Sequence, residues 1–321
     1  ITTSYNYMSD KEKQVYLLSI ADVFEGLNSY LLSKNINLKF FKEYMNHRAF
    51  YRSLLLANSN KQLFNIINEA KDEDLLVKLE KLQHNSIVIN RMYEAKEKDQ
   101  ERLISLEKQN EELERVLNHE LSKNGFKNQM IDYNKIVNQL LFNEVFVEVI
   151  RINKMSKNII HPFTDSIYYA AIIISNDSDP ELIIIDEENR FEDELLPLYY
   201  SYTKGRRRNN IDEYSYSFYL KKIIDKVGYD KTIFLSPDGI YNNVSIATLF
   251  DVDKGQYLLE TTDIRIVSSA RGFVSNKTAA PRAYKNNNIE IIGNPKFDLS
   301  KSEAIFTTDE TYVSRDVDVS N

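Results

Sequence analysis

Residues 232–240, Thr-Ile-Phe-Leu-Ser-Pro-Asp-Gly-Ile, decide the fold class of this chain. The segment Thr232–Ser236 is rich in β-branched and apolar residues, which is typical of a short buried strand. Pro237 and Gly239 favour a tight turn, in which Asp238 can accept hydrogen bonds from nearby backbone N–H groups. A strand that ends in such a turn, with further short strands around it, predicts an α/β layer structure for the second half of the chain.

Segments on both sides of this strand complete the α/β half. Glu144–Asn153 alternates valines with other residues as a strand does. Ser166–Asn176 and Glu181–Asp186 are joined by a turn-rich connection, which predicts a hairpin. We expect helices over 191–228, broken by a loop at Gly205–Asn210. The sequence predicts further strands at Tyr257–Glu260, Asp263–Ser268 and Ile289–Gly293, and a loosely ordered tail over 296–321.

The first part of the chain has a helical pattern. Only one glycine, Gly26, and no proline occur before residue 123. Ser9 and Glu12 have the spacing of a capping box, which predicts a helix start. A second such box, Ser59 to Gln62, predicts another helix, and between them a helix is expected from about Phe40 to Ala57. We expect the first helix to direct five side chains toward a core: Val15, Leu18, Phe24, Leu27 and Leu31.

Two longer helices follow, at Asp72–Lys96 and Asp99–Ser122. The second carries a heptad seam of Leu103, Leu106, Asn110, Leu113 and Leu117. Asn110 falls at an a-like position, where a buried amide can fix register at a cost in stability. Because the seam is short, we favour an antiparallel hairpin within the protein, with a dimerising coiled coil as the alternative. The sequence therefore predicts an α+β fold: a helical region over 1–122 and a mixed α/β domain over 123–321.

Composition and net charge argue against several classes of function. A net charge of -7 argues against a general binder of nucleic acid or anionic membranes. The one notable basic cluster, Arg206–Arg208, is best explained as a solvated loop, although it is where nucleic acid would bind. No cysteine is present, which excludes thiol catalysis within this chain and is compatible with a reducing cytosol. We expect a cytoplasmic piece of a larger polypeptide, because the chain begins with Ile1 and has no stretch resembling a membrane helix.

Several segments of the sequence resemble segments of a known protein family, and they occur in the same order along the chain. The segment 233–240 followed by Val244–Leu249 resembles the strand, Pro-Asp-Gly turn and small helix of CHAT domains. Tyr257–Glu260, the strand after it and Ser269-Ala270-Arg271 are similar to the family's next block. Ile289–Ile292 with Gly293, Asn294 and Pro295 resembles the strand that begins the caspase-like core. Upstream, 110–115 and 143–148 resemble the helix and strand before CHAT domains in proteins with tetratricopeptide repeats.

The resemblance implies a caspase-like cysteine peptidase, in which a histidine activates a cysteine thiolate. In that family both residues follow the Gly-Asn-Pro block, whereas here no His or Cys follows Pro295. We therefore assign no catalytic residue, cofactor or metal. No catalytic role passes to the histidines that precede the core, which are His47, His84, His119 and His161. The structural motif residues that we single out are Pro237, Asp238, Gly239, Arg271, Gly293, Asn294 and Pro295.

Other features have competing explanations. Ser236 lacks the glycine-flanked elbow of a serine hydrolase, so we favour a structural turn. The runs Asp186–Glu188 and Glu192–Glu194 are better explained as a solvated turn and a helix start than as a metal site. Arg271 is expected to form a structural salt bridge with an acid such as Asp263. Core packing and a contact surface are equally open for six tyrosines: Tyr199, Tyr200, Tyr202, Tyr214, Tyr216 and Tyr219.

These observations lead to one expected function and one alternative. The resemblance implies a non-catalytic scaffold or regulatory portion of a CHAT-type endopeptidase, with the His/Cys dyad downstream of this chain. The expected partners are that downstream catalytic half, an upstream repeat domain and a protein substrate or activator. Membranes and nucleic acid are not expected partners. The alternative is a protein-binding scaffold, or pseudo-protease, that never had peptidase activity.

Overall fold

The computed structural model describes Tyr5 and residues 7–33, 36–56, 72–95, 99–123, 131–156, 158, 162–186, 189–205 and 210–278. These residues belong to one unit, Ile1–Ala279. Several predicted features lie outside the described residues: the capping box at Ser59, His161, Glu187 and Glu188, Arg206–Arg208, the strand Ile289–Gly293 with Gly293, Asn294 and Pro295, and the tail 296–321.

The chain has the predicted α+β fold, with helices first and a mixed sheet after them. The helices of the first part are α1 (Asp10–Tyr30), α2 (Leu38–Leu56), α3 (Glu73–Glu94), α4 (Gln100–Lys123) and α5 (Tyr133–Asn138). The sheet strands are β1 (Glu144–Met155), β2 (Phe163–Ile174), β3 (Glu181–Asp186), β4 (Thr232–Ser236) and β7 (Ile264–Ile266). The division into domains at residue 122 stays a prediction.

Short elements connect the strands. A π-helical turn, Phe191–Leu195, leads into α6 (Leu196–Thr203), and α7 (Ser215–Tyr219) and α8 (Lys221–Val227) follow. After β4 come two 3-10 turns (Gly239–Asn242 and Ile246–Thr248), the small pair β5 (Phe250–Asp251) and β6 (Gln256–Tyr257), and α9 (Leu258–Thr261). Helix α10 (Ala270–Thr278) follows β7.

The five-stranded sheet has the order β3-β2-β1-β4-β7. Strand β1 pairs antiparallel with β2 and parallel with β4, and β4 is parallel to β7. The hairpin predicted for β2 and β3 is confirmed by their antiparallel pairing. Strand β4 has the predicted bounds, because its run of β-branched and apolar residues ends at Pro237, which cannot extend the ladder.

Helices cover both faces of the sheet. Odd-numbered residues of β1, such as Val147, pack against the helices of 191–227, and even-numbered ones, such as Phe146 and Ile150, pack against α2, α5 and α10. Both faces of β1 are therefore apolar, which is the pattern of a strand buried on two sides. Glu144 and Glu148 are charged exceptions on the even-numbered face, and Glu148 has 1% of its side chain exposed.

The first helix follows its predicted start but not its predicted core face. The Ser9 and Glu12 capping box is present, with both reciprocal hydrogen bonds. Val15 and Leu18 are wrong as core residues, because their exposed fractions are 63% and 76%, whereas Leu17 and Leu31 are buried. Long-range polar contacts set the rotation of α1, since Asp10 donates its N–H to Glu114 and Glu12 binds Arg115.

A second correction concerns Tyr257–Glu260, which was predicted as a strand. Only Tyr257 belongs to a strand, β6, and the residues after it form helix α9. The Glu260 carboxylate accepts a hydrogen bond of 2.8 Å from the Tyr257 N–H, which caps this helical turn. Leu258 is fully buried by the same turn. A local cap therefore outweighs the strand propensity of this segment.

The long helices α3 and α4 form the hairpin that the sequence favoured. Leu75 near the start of α3 packs with Leu117 near the end of α4, so the two helices run antiparallel. Asn110 is buried, and its Nδ2 lies 3.2 Å from the Ser86 Oγ of α3. Its Oδ1 is buried with no hydrogen-bond partner in the described chain. The amide therefore lies in the seam with its acceptor oxygen unsatisfied by any described residue.

Replacing this amide should stabilise the hairpin. We expect Asn110→Leu to raise the free energy of unfolding by about 1 kcal/mol, because a buried unsatisfied acceptor is removed. Urea denaturation measures the change, and Gln109→Leu at an exposed position of the same helix is the matched control. A loss of stability in Asn110→Leu, with the control unchanged, would show that the amide is needed for packing.

Candidate functional site

Two arginines of α2 meet a buried carboxylate of β1. Arg48 and Arg52 are four residues apart, so their side chains lie on one face of the helix. The Nε of Arg48 is 2.7 Å and the Nη1 of Arg52 is 2.9 Å from the Oε1 of Glu148. The other oxygen of Glu148 is buried without a hydrogen-bond partner in the described part of the chain. One carboxylate oxygen thus holds two guanidinium groups.

The same arginines bind the Pro-Asp-Gly turn at the carboxyl end of β4. Arg52 donates to the Ser236 Oγ at 2.9 Å and to the Pro237 carbonyl at 2.9 Å. Arg48 donates through Nη2 to the Asp238 Oδ2 at 2.9 Å. The predicted local bond is also present, since Asp238 accepts from the Gly239 N–H at 2.9 Å. The helix, strand β1 and the turn are therefore tied by one polar network.

The charges in this network reinforce one another. Burial alone would raise the pKa of Asp238, but the charge and hydrogen bond of Arg48 hold that pKa below its usual range. Burial also opposes the charge on Arg48, yet Tyr44, Glu148 and Asp238 hold the pKa of its guanidinium well above the usual value. Both groups therefore stay ionised in the folded protein.

A second cluster continues from Gly239 to the other side of the sheet. The Ile240 N–H lies 3.1 Å from the Tyr169 hydroxyl, which donates to Glu192 at 2.6 Å. Glu192 also binds Arg151, with its Oε1 2.6 Å from the Arg151 Nε. Burial opposes the charge of Glu192, but bonds from Arg151 and Tyr169 lower its pKa. Glu192 therefore remains an anion that positions Arg151.

A cleft of about 440 Å³ opens beside these clusters, between the helices α1 and α2 and the strand β1. This volume lies within the range of small-molecule sites. Its lining includes Arg48, Arg52 and Arg151, together with Asp238 and aromatic side chains of α1 and α2. Thus the turn that the sequence singled out contributes to the wall of a cavity.

The other candidate residues are placed elsewhere. Arg271 is half-buried in α10, where burial lowers its pKa. Asp263, suggested as its partner, forms a salt bridge of 2.6 Å with Arg265. Ser236 is fully buried and hydrogen-bonded to Arg52, which supports the structural explanation of this serine. His47, His84 and His119 are exposed on helices.

The structure also places most of the tyrosines and part of the acidic runs that the sequence singled out. Core packing accounts for Tyr199, Tyr202, Tyr216 and Tyr219, which are buried, whereas Tyr214 is half exposed. Glu192–Glu194 lie in the first turn of the π-helical segment, which confirms the predicted helix start, and Glu192 also pairs with Arg151. Within the described residues, no group of three or more His, Asp or Glu side chains is arranged to hold a metal ion. In the same residues, no helix combines the length and apolar character needed to cross a membrane.

Sequence reasoning missed the residues that build the network. Arg48, Arg52 and Glu148 received no role from the pattern of their own segments. Two signals were present: an i, i+4 pair of arginines next to the apolar residues Tyr44, Met45 and Ala49 of α2, and a glutamate inside the apolar run 145–150 of β1. A charge in each of two buried segments indicates that the segments must meet, because an unpaired buried charge is strongly unfavourable.

Comparisons of the chain with models of protein families, with curated proteins and with solved structures find no match.

The turn allows a direct test of its geometry. Gly239 has φ +54, and an added Cβ would overlap the Tyr169 hydroxyl and lie 2.9 Å from the Arg151 Cδ. Gly255 has φ +66, but nothing lies within 4 Å of its added Cβ. Both alanine variants should lose about 1 kcal/mol of unfolding free energy from backbone strain. Gly239→Ala should lose a further 1–3 kcal/mol or so from steric overlap.

Urea denaturation of the two glycine variants measures this difference. Gly255→Ala is the matched control, since it shares the positive φ and lacks the neighbours. Equal losses of unfolding free energy in the two variants would mean that the Cβ added at residue 239 meets no steric overlap with Tyr169, which would contradict the described turn geometry.

Proposed function

We propose that the chain is the non-catalytic scaffold and regulatory portion of a CHAT-type, caspase-like cysteine endopeptidase. The catalytic histidine and cysteine belong, in this proposal, to a downstream part of the same polypeptide. The partners are that downstream half, an upstream repeat domain and a protein substrate or activator. Neither membranes nor nucleic acid take part. We place the protein in the cytoplasm, because a chain without cysteine is compatible with a reducing compartment.

The observation that carries the proposal is the sheet around the Pro-Asp-Gly turn. Strands β1, β4 and β7 are parallel, and β7 lies at the edge of the sheet among the described residues. Ile266 on β7 has 57% of its surface exposed. A further parallel strand can pair with this edge, as β-strand addition does in other proteins. The segment Ile289–Ile292 follows β7 in the sequence and resembles the first core strand of the family, which supports the addition of a further strand.

The absence of cysteine supports a non-catalytic role for these residues. A caspase-like mechanism needs a thiolate nucleophile, and none can form in a chain that has no cysteine. The carboxylates and arginines nearest the turn are committed to one another in ion pairs. Their role in the proposal is to hold the sheet and its first turn in a fixed geometry.

A protein-binding scaffold is the second candidate function. Helix α1 favours it, because Val15, Leu18 and Val23 expose 63%, 76% and 65% of their surfaces. Exposed apolar side chains grouped on one helix are a feature of protein-binding surfaces. Under this alternative the same fold binds a partner and no peptidase activity exists in the longer protein.

Proteolysis of a mixed peptide library, followed by mass spectrometry, tests the proposal. The folded 321-residue chain should release no products above buffer. The polypeptide encoded by the complete reading frame should cleave peptides, and iodoacetamide should abolish this activity. A variant with its downstream cysteine changed to alanine is the control.

Two results would contradict the proposal. Cleavage by the purified 321-residue chain would show that its own residues are catalytic. A complete reading frame that lacks a downstream histidine and cysteine would exclude the peptidase and leave the scaffold.

A further inference from the structure

Helix α1 carries a second apolar surface, apart from the face that it buries. Leu17 is buried in the fold, and Phe24 stacks on Tyr51 of α2 with ring centroids 4.1 Å apart. Val15 and Leu18 lie on another side of the helix, where they expose 63% and 76% of their surfaces. A helix that has already packed one face normally presents charged and polar residues on the other. Two neighbouring apolar side chains in that position therefore indicate a contact.

Charged residues of opposite sign lie at the two ends of this surface. Lys11 lies about one turn before Val15, and Asp22 lies about one turn after Leu18, and both charged residues are exposed. The four positions are separated by four, three and four residues, so they form one line along the helix, about 16 Å long. We call these four residues the α1 stripe. In order along the helix, the stripe is a cation, two apolar side chains and an anion.

The α1 stripe is complementary to itself when two copies pack antiparallel. Its spacing is the same from either end, so a two-fold axis between positions 16 and 17 places Val15 of one copy against Leu18 of the other. The same axis places each Lys11 next to an Asp22 of the other copy. A parallel arrangement sets lysine against lysine and aspartate against aspartate, which is unfavourable because like charges repel. The charge pattern therefore favours a second copy of the chain, in the antiparallel direction.

Lys11 can take part in such a pair without losing its contact within the chain. Its Nζ lies 2.9 Å from the Glu111 Oε1 of α4, and 68% of its side chain is exposed. An ammonium group has three donor hydrogens, so this ion pair leaves two of them for another acceptor. The contact with Glu111 also holds the ammonium at its end of the α1 stripe. Less side-chain entropy is then lost when the second copy binds.

We infer that the α1 stripe is a homodimer contact, in which two copies of this chain pack their α1 helices antiparallel. Val15 and Leu18 of each copy cover one another, and the two pairs of Lys11 with Asp22 fix the direction. Because one helix face is a small interface, the dimer is weak and depends on concentration. The inference rests on α1 alone, so it holds whether or not the longer protein is a peptidase.

Sedimentation velocity of the folded chain tests the contact. Between about 1 and about 500 µM, where small interfaces associate, we expect the mass to rise from one chain toward two. Val15→Ala should weaken association by about fivefold or more, because the dimer loses apolar contact at both copies of the residue. Val77→Ala is the matched control, since Val77 of α3 has the same exposed fraction of 63% and lies outside the stripe. The control should associate as the unmodified chain does.

Exchange of the charges tests the direction of the pair. Asp22→Lys places two lysines together at each end of the contact, so it should weaken association about fivefold. Adding Lys11→Glu to Asp22→Lys restores opposite charges at both ends, and this double variant should recover the affinity of the unmodified chain. Circular dichroism checks that each variant is folded.

Engineered cysteines report the geometry directly, because the chain contains no cysteine of its own. Under mild oxidation, a mixture of Val15→Cys and Leu18→Cys chains should form disulfides between position 15 of one copy and position 18 of the other. Either variant alone should cross-link less than the mixture does.

Three results would overturn the inference. The first is the mass of a single chain over the whole concentration range. The second is association of equal strength in Val15→Ala and Val77→Ala, which would place the contact on another surface. The third is cross-linking of each cysteine variant to itself in preference to the mixture, as a parallel contact would give.

Discussion

The buried carboxylate of Glu148 is the constraint on which the rest of the site depends. Its two neighbours on the same face of β1, Phe146 and Ile150, are apolar and fully buried. Moving a carboxylate out of water costs several kcal/mol unless cations and hydrogen bonds compensate. Arg48 and Arg52 provide that compensation, so the ion pairs favour the register in which α2 packs on the sheet. The docking of helix on strand is thus fixed by charge as well as by apolar packing.

This register also determines the geometry of the turn after β4. The arginines that bind Glu148 continue to the Pro237 carbonyl and the Asp238 carboxylate. From the turn, the hydrogen bonds pass through Tyr169 to Glu192, on the opposite side of the sheet. A displacement of α2 would therefore reach the carboxyl end of the parallel strands. In the proposed scaffold, this coupling would link the position of α2 to the turn after β4.

The sequence alone was sufficient for features that depend on local interactions. The Ser9 cap, the bounds of β4 and the hairpin of β2 and β3 all follow from patterns within a few residues. Features that depend on distant partners were missed or wrong. The contact between Arg48 and Glu148 spans 100 residues, so neither segment predicts it alone. The exposure of Val15 and Leu18 has the same origin, because Glu114 and Arg115 of α4 set the rotation of α1.

A double-mutant cycle between Arg48 and Glu148 tests this account most directly. The measured quantity is the free energy of unfolding of Arg48→Met, Glu148→Leu and the double variant. Each single variant should lose up to about 3–5 kcal/mol, because it removes one partner of a buried charge, while Arg52 still binds Glu148 and Asp238 still binds Arg48. The double variant should lose less than the sum, with a coupling of roughly 1–3 kcal/mol. The surface pair Lys11 and Glu111 is the control and should show much weaker coupling, because solvent screens it. Additive losses at Arg48 and Glu148 would contradict the claim that this ion pair fixes the helix on the sheet.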